Sequence, residues 1–138
     1  MKDLTLTQED IDALRATGVE AAVLFGSHAT GHATPESDVD VGVLLTADGR
    51  EQRSHDYHAF FSGVYDIFAA RFGDLSGLDV VFLDRAPLEL RRHVARHGVV
   101  LMESVSGTVA RFNDATTMLY ADFEPYRQLM NRAVLERV

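Results

Sequence analysis

Two short apolar runs joined by a polar hinge constrain this chain most. The first, Val19 to Phe25, stops at Gly26-Ser27; after ten further residues Asp38-Val39-Asp40 opens the second, which ends at Leu45. Runs of this length, rich in branched residues and bounded by glycine and polar residues, read as strands buried on both faces. Successive side chains of a strand point to opposite faces, so Asp38 and Asp40 project together while Val39 and Val41 turn away. Two carboxylates held that close repel unless a cation lies between them. Hard cations such as Mg²⁺ take oxygen ligands, commonly one or two carboxylates together with substrate phosphates. The Gly26-Ser27 turn supplies the complementary part, because glycine lets backbone N–H groups approach a phosphate and the serine hydroxyl adds a donor.

The rest of the chain builds around these strands. Thr7 with Asp10 three residues on predicts a helix start, Ile11 and Leu14 its inner face, and Gly18 its end. Ser27 to Thr30 is expected to form one helical turn aimed at the site. Thr46 to Arg50, with Asp48-Gly49, reads as a turn. A helix is expected over Ser54 to Phe72, with Phe60, Phe61, Val64, Ile67 and Phe68 on its apolar stripe and Gly73 as its stop. Leu78 to Leu83 reads as a third strand whose second residue, Asp79, interrupts an apolar run at a cost unless it has a partner. Pro87 to His97 predicts a short helix, Val99 to Met102 a fourth strand, and Thr108 to Val138 a helical segment broken near Pro125. These elements give one α/β (α+β) domain over residues 1–138: a small mixed sheet flanked by helices, with a C-terminal helical segment from about residue 106.

Composition narrows the function. The 138 residues carry no cysteine, which excludes thiolate metal sites and disulfides. A net charge of −8 argues against general nucleic-acid binding. No apolar run is long enough to span a membrane and the N-terminus does not read as a signal peptide, so a cytoplasmic location is expected. The basic stretch Arg85 to Arg96 is read either as a contact for an anionic ligand or acidic partner, or as a solvated helix face; the latter is the commoner origin of such runs. His55 and His58, three apart on the expected helix, could meet a metal but lack a third ligand. His28 and His32 flank the phosphate turn. Phe112, Leu119, Phe123 and Tyr126 either pack on the domain or offer a surface to a partner helix.

If the third strand pairs beside the second, Asp79 joins Asp38 and Asp40. Three carboxylates near a phosphate-cradling turn are the ingredients of two-metal phosphoryl or nucleotidyl transfer. The spacing Gly26-Ser27, ten residues, then Asp38-Val39-Asp40 resembles the signature of the DNA polymerase β-like nucleotidyltransferase superfamily. A chain of this length resembles its minimal nucleotidyltransferases (MNT), many of which are similar to antitoxins encoded beside HEPN-domain ribonuclease toxins. Leu78-Asp79-Val80-Val81, Arg111-Phe112 and the segment from Tyr120 to Pro125 share in the resemblance. The resemblance implies that Asp38 and Asp40 bind Mg²⁺, that Asp79 completes a site for two ions and helps deprotonate the acceptor, and that Gly26 and Ser27 hold the ATP phosphates. It implies transfer of AMP from ATP to a tyrosine hydroxyl of a HEPN toxin, which neutralises that toxin as a type VII-like antitoxin does. Aminoglycoside-type enzymes, which modify small molecules, and antitoxins that mask by binding alone remain the alternatives. One position departs from the pattern: Thr30 stands where the family often has arginine, and Arg50, Arg53, Arg85 and Arg91 are the cations that could substitute.

Overall fold

A computed structural model describes residues 4–72 and 77–136. Helix α1 (Gln8–Thr17) begins at a capping box, in which the Thr7 hydroxyl accepts from the Asp10 amide and the Asp10 carboxylate accepts from that of Thr7. It ends at Gly18, whose φ of 97° only glycine adopts without strain. The chain then enters β1 (Val19–Phe25), makes the single turn α2 (Ser27–Thr30) and returns as β2 (Val39–Leu45). Helices α3 (Ala47–His55) and α4 (Tyr57–Phe72) follow. Strand β3 (Leu78–Phe82), a 3-10 turn (Leu83–Arg85), α5 (Leu88–His97) and β4 (Val99–Glu103) lead to the long α6 (Thr108–Glu136).

The strand order is β3-β2-β1-β4. Strand β1 runs antiparallel to both neighbours, whereas β2 and β3 are parallel. This is the small mixed sheet expected. Strand alternation divides the core in two. Ala22, Leu24, Val39, Val41, Val43 and Val80 face α1 and α4, where Leu14, Val64 and Phe68 are fully buried. Ala21, Val23 and Phe25 face the other way, against Leu83, Val94 of α5 and Val109 of α6. Asp38, Asp40 and Asp79 share the parity of this second face.

Several expectations need correction. Thr46 to Arg50 is not a turn but the start of α3. Thr46 is its N-cap, its hydroxyl accepting from the Gly49 amide at 3.0 Å. Gly49 is there because its Cα lies against the Gly18 backbone, where a Cβ would overlap the Gly18 carbonyl. The helix expected from Ser54 to Phe72 is α4 but starts at Tyr57, with Ser54 and His55 at the end of α3. Asp56 is extended (φ −151°, ψ 92°) and its carboxylate accepts from the Ala59 amide at 3.1 Å, so it breaks one helix and caps the next. His55 and His58 therefore sit on different helices, and His55 lies 3.9 Å from Glu51. The stop expected at Gly73 lies outside the described residues. Nor does Pro125 break α6, which is continuous through it. Proline removes one hydrogen bond to the carbonyl four residues back, and both Ala121 and Pro125 are exposed, so water can take that acceptor.

Candidate active site

The parallel pairing of β2 with β3 builds the site. Its register sets Asp40 opposite Asp79 and Val39 opposite Leu78, and the Val39 amide donates to the Gly77 carbonyl at 2.9 Å. Adjacent strands lie about 4.8 Å apart, so the two carboxylates emerge side by side on one face. Asp38 precedes them on the same face and is exposed at the mouth. On the other flank, Phe25 pairs with Asp40, which brings Gly26 and Ser27 beside the carboxylates.

Two glycines make room for two of the carboxylates. A Cβ on Gly26 would overlap the Asp40 carboxylate, and one on Gly77 would overlap that of Asp38. Gly26 also has φ 76°. Only glycine meets both demands there. Gly26 is the N-cap of α2, and its carbonyl accepts from the Ala29 and Thr30 amides at 3.1 and 3.2 Å. The first amides of any helix have no intrahelical acceptor, so those at the start of α2 are oriented for an anion.

Asp40 has a raised pKa. Burial is the main cause, followed by repulsion from Asp79 and then Asp38; His28 and His93 oppose the shift. Negative charge is thus concentrated at one point and only weakly offset by the protein. Among the described residues, no three carboxylate or imidazole groups converge as a ready-made metal cage. The donors present still fit Mg²⁺, which needs only one or two carboxylates and completes its shell with phosphates and water. They are all oxygen donors, and the repulsion that raises the Asp40 pKa is what a divalent cation would relieve.

Two histidines belong to this neighbourhood. His28 Nε2 lies 3.2 Å from the Ser37 carbonyl and ties α2 to the residue before Asp38. Its place next to Gly26-Ser27 was the one sequence signal for it. His93 comes from α5, whose last turn leads through Gly98 into β4, where Val99 pairs with Leu24. That connection sets the end of α5 beside the carboxylate end of the sheet. With Glu89, Arg92, Arg96 and His97, His93 lines a hollow of about 230 Å³. No spacing in the sequence announces it. A larger cleft of about 670 Å³, lined by Leu4, Leu24, His28, Gly31, Ala33, Thr34 and Pro35, opens on the opposite side of β1 and touches the site only through His28.

Three of the four arginines considered as substitutes at Thr30 lie away from that turn. Arg50 donates to the Leu45 carbonyl at 2.8 Å, and Arg53 holds Asp84 through two bonds of 2.8 and 2.6 Å. Both, with Arg85, lie at the far end of β2 and β3. Arg91 sits mid-way along α5 with its Nε buried and, among the described residues, without a partner. The Thr30 hydroxyl instead donates weakly to the Gly26 and Ser27 carbonyls, at 3.4 Å each.

Among the described residues no helix is long and apolar enough to cross a membrane. The family model described as "Polymerase beta, Nucleotidyltransferase" matches residues 9–106. No curated protein sequence matches significantly. Among solved structures, a chain of a substituted MntA-HpeT toxin–antitoxin aligns with TM-score 0.67 at 25% identity, covering 95% of this chain and 99% of that one. A chain of a toxin–antitoxin with AMP-PNP aligns with TM-score 0.62 at 22% identity over 94% and 99%. A chain from the tri-AMPylated Shewanella oneidensis HEPN toxin in complex with MNT antitoxin aligns with TM-score 0.60 at 21% identity over 92% and 93%.

Proposed function

Because the chain belongs to the polymerase beta nucleotidyltransferase family, we propose that it transfers AMP from ATP to a tyrosine hydroxyl of a HEPN-domain ribonuclease and so silences it. The observation that carries this reading is the pairing of Asp40 with Asp79 across parallel strands, next to the Gly26-Ser27 turn. The structural likeness to chains of toxin–antitoxin complexes, one with AMP-PNP and one with an AMPylated HEPN toxin, supports the choice of nucleotide and partner. Residues 1–138 act as one minimal nucleotidyltransferase unit, with the segment from about residue 106 serving the partner. With ATP as the proposed donor, a cytoplasmic setting is part of the same proposal.

In this mechanism the α2 amides and the Ser27 hydroxyl hold the β- and γ-phosphates, and Gly26 lets the backbone approach them. Asp38 and Asp40 would hold Mg²⁺, with Asp79 completing a site for two ions. The metal would supply neutralisation of phosphate charge and a lowered pKa for the acceptor hydroxyl. Asp79 takes the hydroxyl proton. The tyrosine oxygen bonds to the α-phosphorus, the bridging oxygen bond to the β-phosphate breaks, and pyrophosphate leaves. Positioning of the two reactants accounts for much of the rate.

The test is the partner's ribonuclease activity. The HEPN protein encoded beside this chain is incubated with it, ATP and Mg²⁺, then freed of it and assayed. Lasting loss of cleavage that requires ATP is the expected result; recovery of full cleavage after separation refutes transfer.

A further inference from the structure

Helix α6 is rooted in the body and then leaves it. Thr108, Val109, Thr116 and Tyr120 are buried. The Arg92 guanidinium lies over the Tyr120 ring at 3.8 Å, and Arg127 reaches Glu89 of α5 at 2.9 Å. Past Arg127 every described residue is exposed. From Met118 onward the helix exposes apolar side chains: Met118, Phe123, Tyr126, Leu129, Met130 and Val134 are between 47% and 69% exposed along one side, and Leu135 is 73% exposed on the other.

Three observations bear on what covers them. The first is the width of the stripe. At about 100° per residue these six side chains fall within an arc of about 160°. A two-stranded coiled coil with a second copy covers only the narrow a/d seam, whereas an arc this wide must be enclosed from two sides. The second is area: the six expose on the order of 700 Å², close to the roughly 800 Å² that each partner contributes to a standard interface. The third is the extent of the family likeness. The family match stops at residue 106, before α6 begins, so α6 is an addition to the catalytic unit. Coverage of 94–95% against chains from toxin–antitoxin structures cannot be reached without part of it.

We infer that the outer half of α6 is the docking element for the protein acceptor, seated in a groove between two helices of that partner. This rests on the function proposed above and adds where the partner binds. Glu89, which Arg127 grips, is in the first turn of α5, one turn before His93 and lining the same hollow. The outer half of α6 leaves the body from there, so binding energy gained on it can position a protein-sized acceptor at the neighbouring site.

The experiment compares Tyr126→Glu with Met130→Glu, combined in one chain, against Gln128→Glu with Asn131→Glu, which adds the same charge on the opposite side of the helix. Affinity for the adjacent HEPN protein is measured by calorimetry, with thermal midpoint and AMP-PNP binding measured alongside. The first pair should weaken partner binding about 100-fold or more, the second less than about 3-fold, and neither should change the midpoint or nucleotide binding. Partner binding unchanged in the first pair overturns the inference while leaving the transfer reading intact. So does a chain that is dimeric alone by light scattering and becomes monomeric in the first pair without loss of the partner. If the unsubstituted chain neither binds nor modifies the HEPN protein, the transfer reading fails and the docking assignment falls with it.

Discussion

Replacing Asp40 by asparagine is predicted to stabilise the protein in the absence of divalent cations. Asp40 faces Asp79 across one strand spacing and has Asp38 two residues before it. For charges about 5 Å apart at an effective dielectric of about 20, repulsion is about 3 kcal/mol. Asp38 and Asp79 are exposed, so solvent and salt reduce this to about 1–1.5 kcal/mol. A chain of 138 residues has an unfolding entropy of about 0.3 kcal/mol/K, which makes the expected rise in Tm about 4 °C. The pH dependence follows from the raised Asp40 pKa. The folded state binds this proton more tightly than the unfolded chain, so native stability falls as pH rises from the unfolded value through the folded one. The gain from Asp40→Asn is therefore absent in acid, grows across that window and is complete at neutral pH. Melting followed by circular dichroism in EDTA, at low salt and stepped pH, measures it. Adding Mg²⁺ should then raise the Tm of the native chain and not that of the variant. A drop in Tm at neutral pH in EDTA would refute the reasoning, because it would mean the carboxylate is satisfied within the protein.

Gly26→Ala should cut AMP transfer at least 100-fold, since a Cβ there displaces the Asp40 carboxylate and the residue has φ 76°; single-turnover transfer with a crystal structure of the variant checks both consequences. Arg53→Met should cost about 1 kcal/mol by removing two charge-assisted hydrogen bonds to Asp84, whose exposed carboxylate water can then solvate, measured by urea denaturation. The Arg53 hydrogen bonds hold the Asp84 carboxyl below its usual pKa. This stabilisation is present above the unfolded carboxylate value and is lost as pH falls through the folded one, so the cost should shrink in acid. Thr30→Arg should tighten AMP-PNP binding about 3- to 10-fold, because a guanidinium at that exposed position reaches phosphate with several charged donors; calorimetry at fixed Mg²⁺ decides it.

Much of this site was legible because its chemistry opposes its surroundings. Asp79 stood out as a carboxylate inside an apolar run, and the pairing of β3 with β2 explains it. Gly26 stood out as the end of a strand. What stayed hidden depends on contacts between distant segments. Gly49 looks like a turn residue, yet it serves a close approach to Gly18 from 31 positions away. Asp56 is one polar residue in a helical pattern until its carboxylate is seen capping α4. Pro125 predicts a break that solvent at an exposed position makes affordable. The approach of His93 to the carboxylates depends on where α5 ends relative to β1, which no local spacing encodes. Apolar residues on α6 signal burial in sequence, but only the fold separates those that pack inward from those left outside.

The central claim is covalent transfer of AMP to a protein, and intact-mass spectrometry of the adjacent HEPN protein tests it most directly. After incubation with this chain, ATP and Mg²⁺, its mass should rise by one or more AMP units, and the rise should vanish when Asp38→Asn replaces the native chain. An unchanged mass within a stable complex would contradict transfer and leave masking by contact as the chain's action.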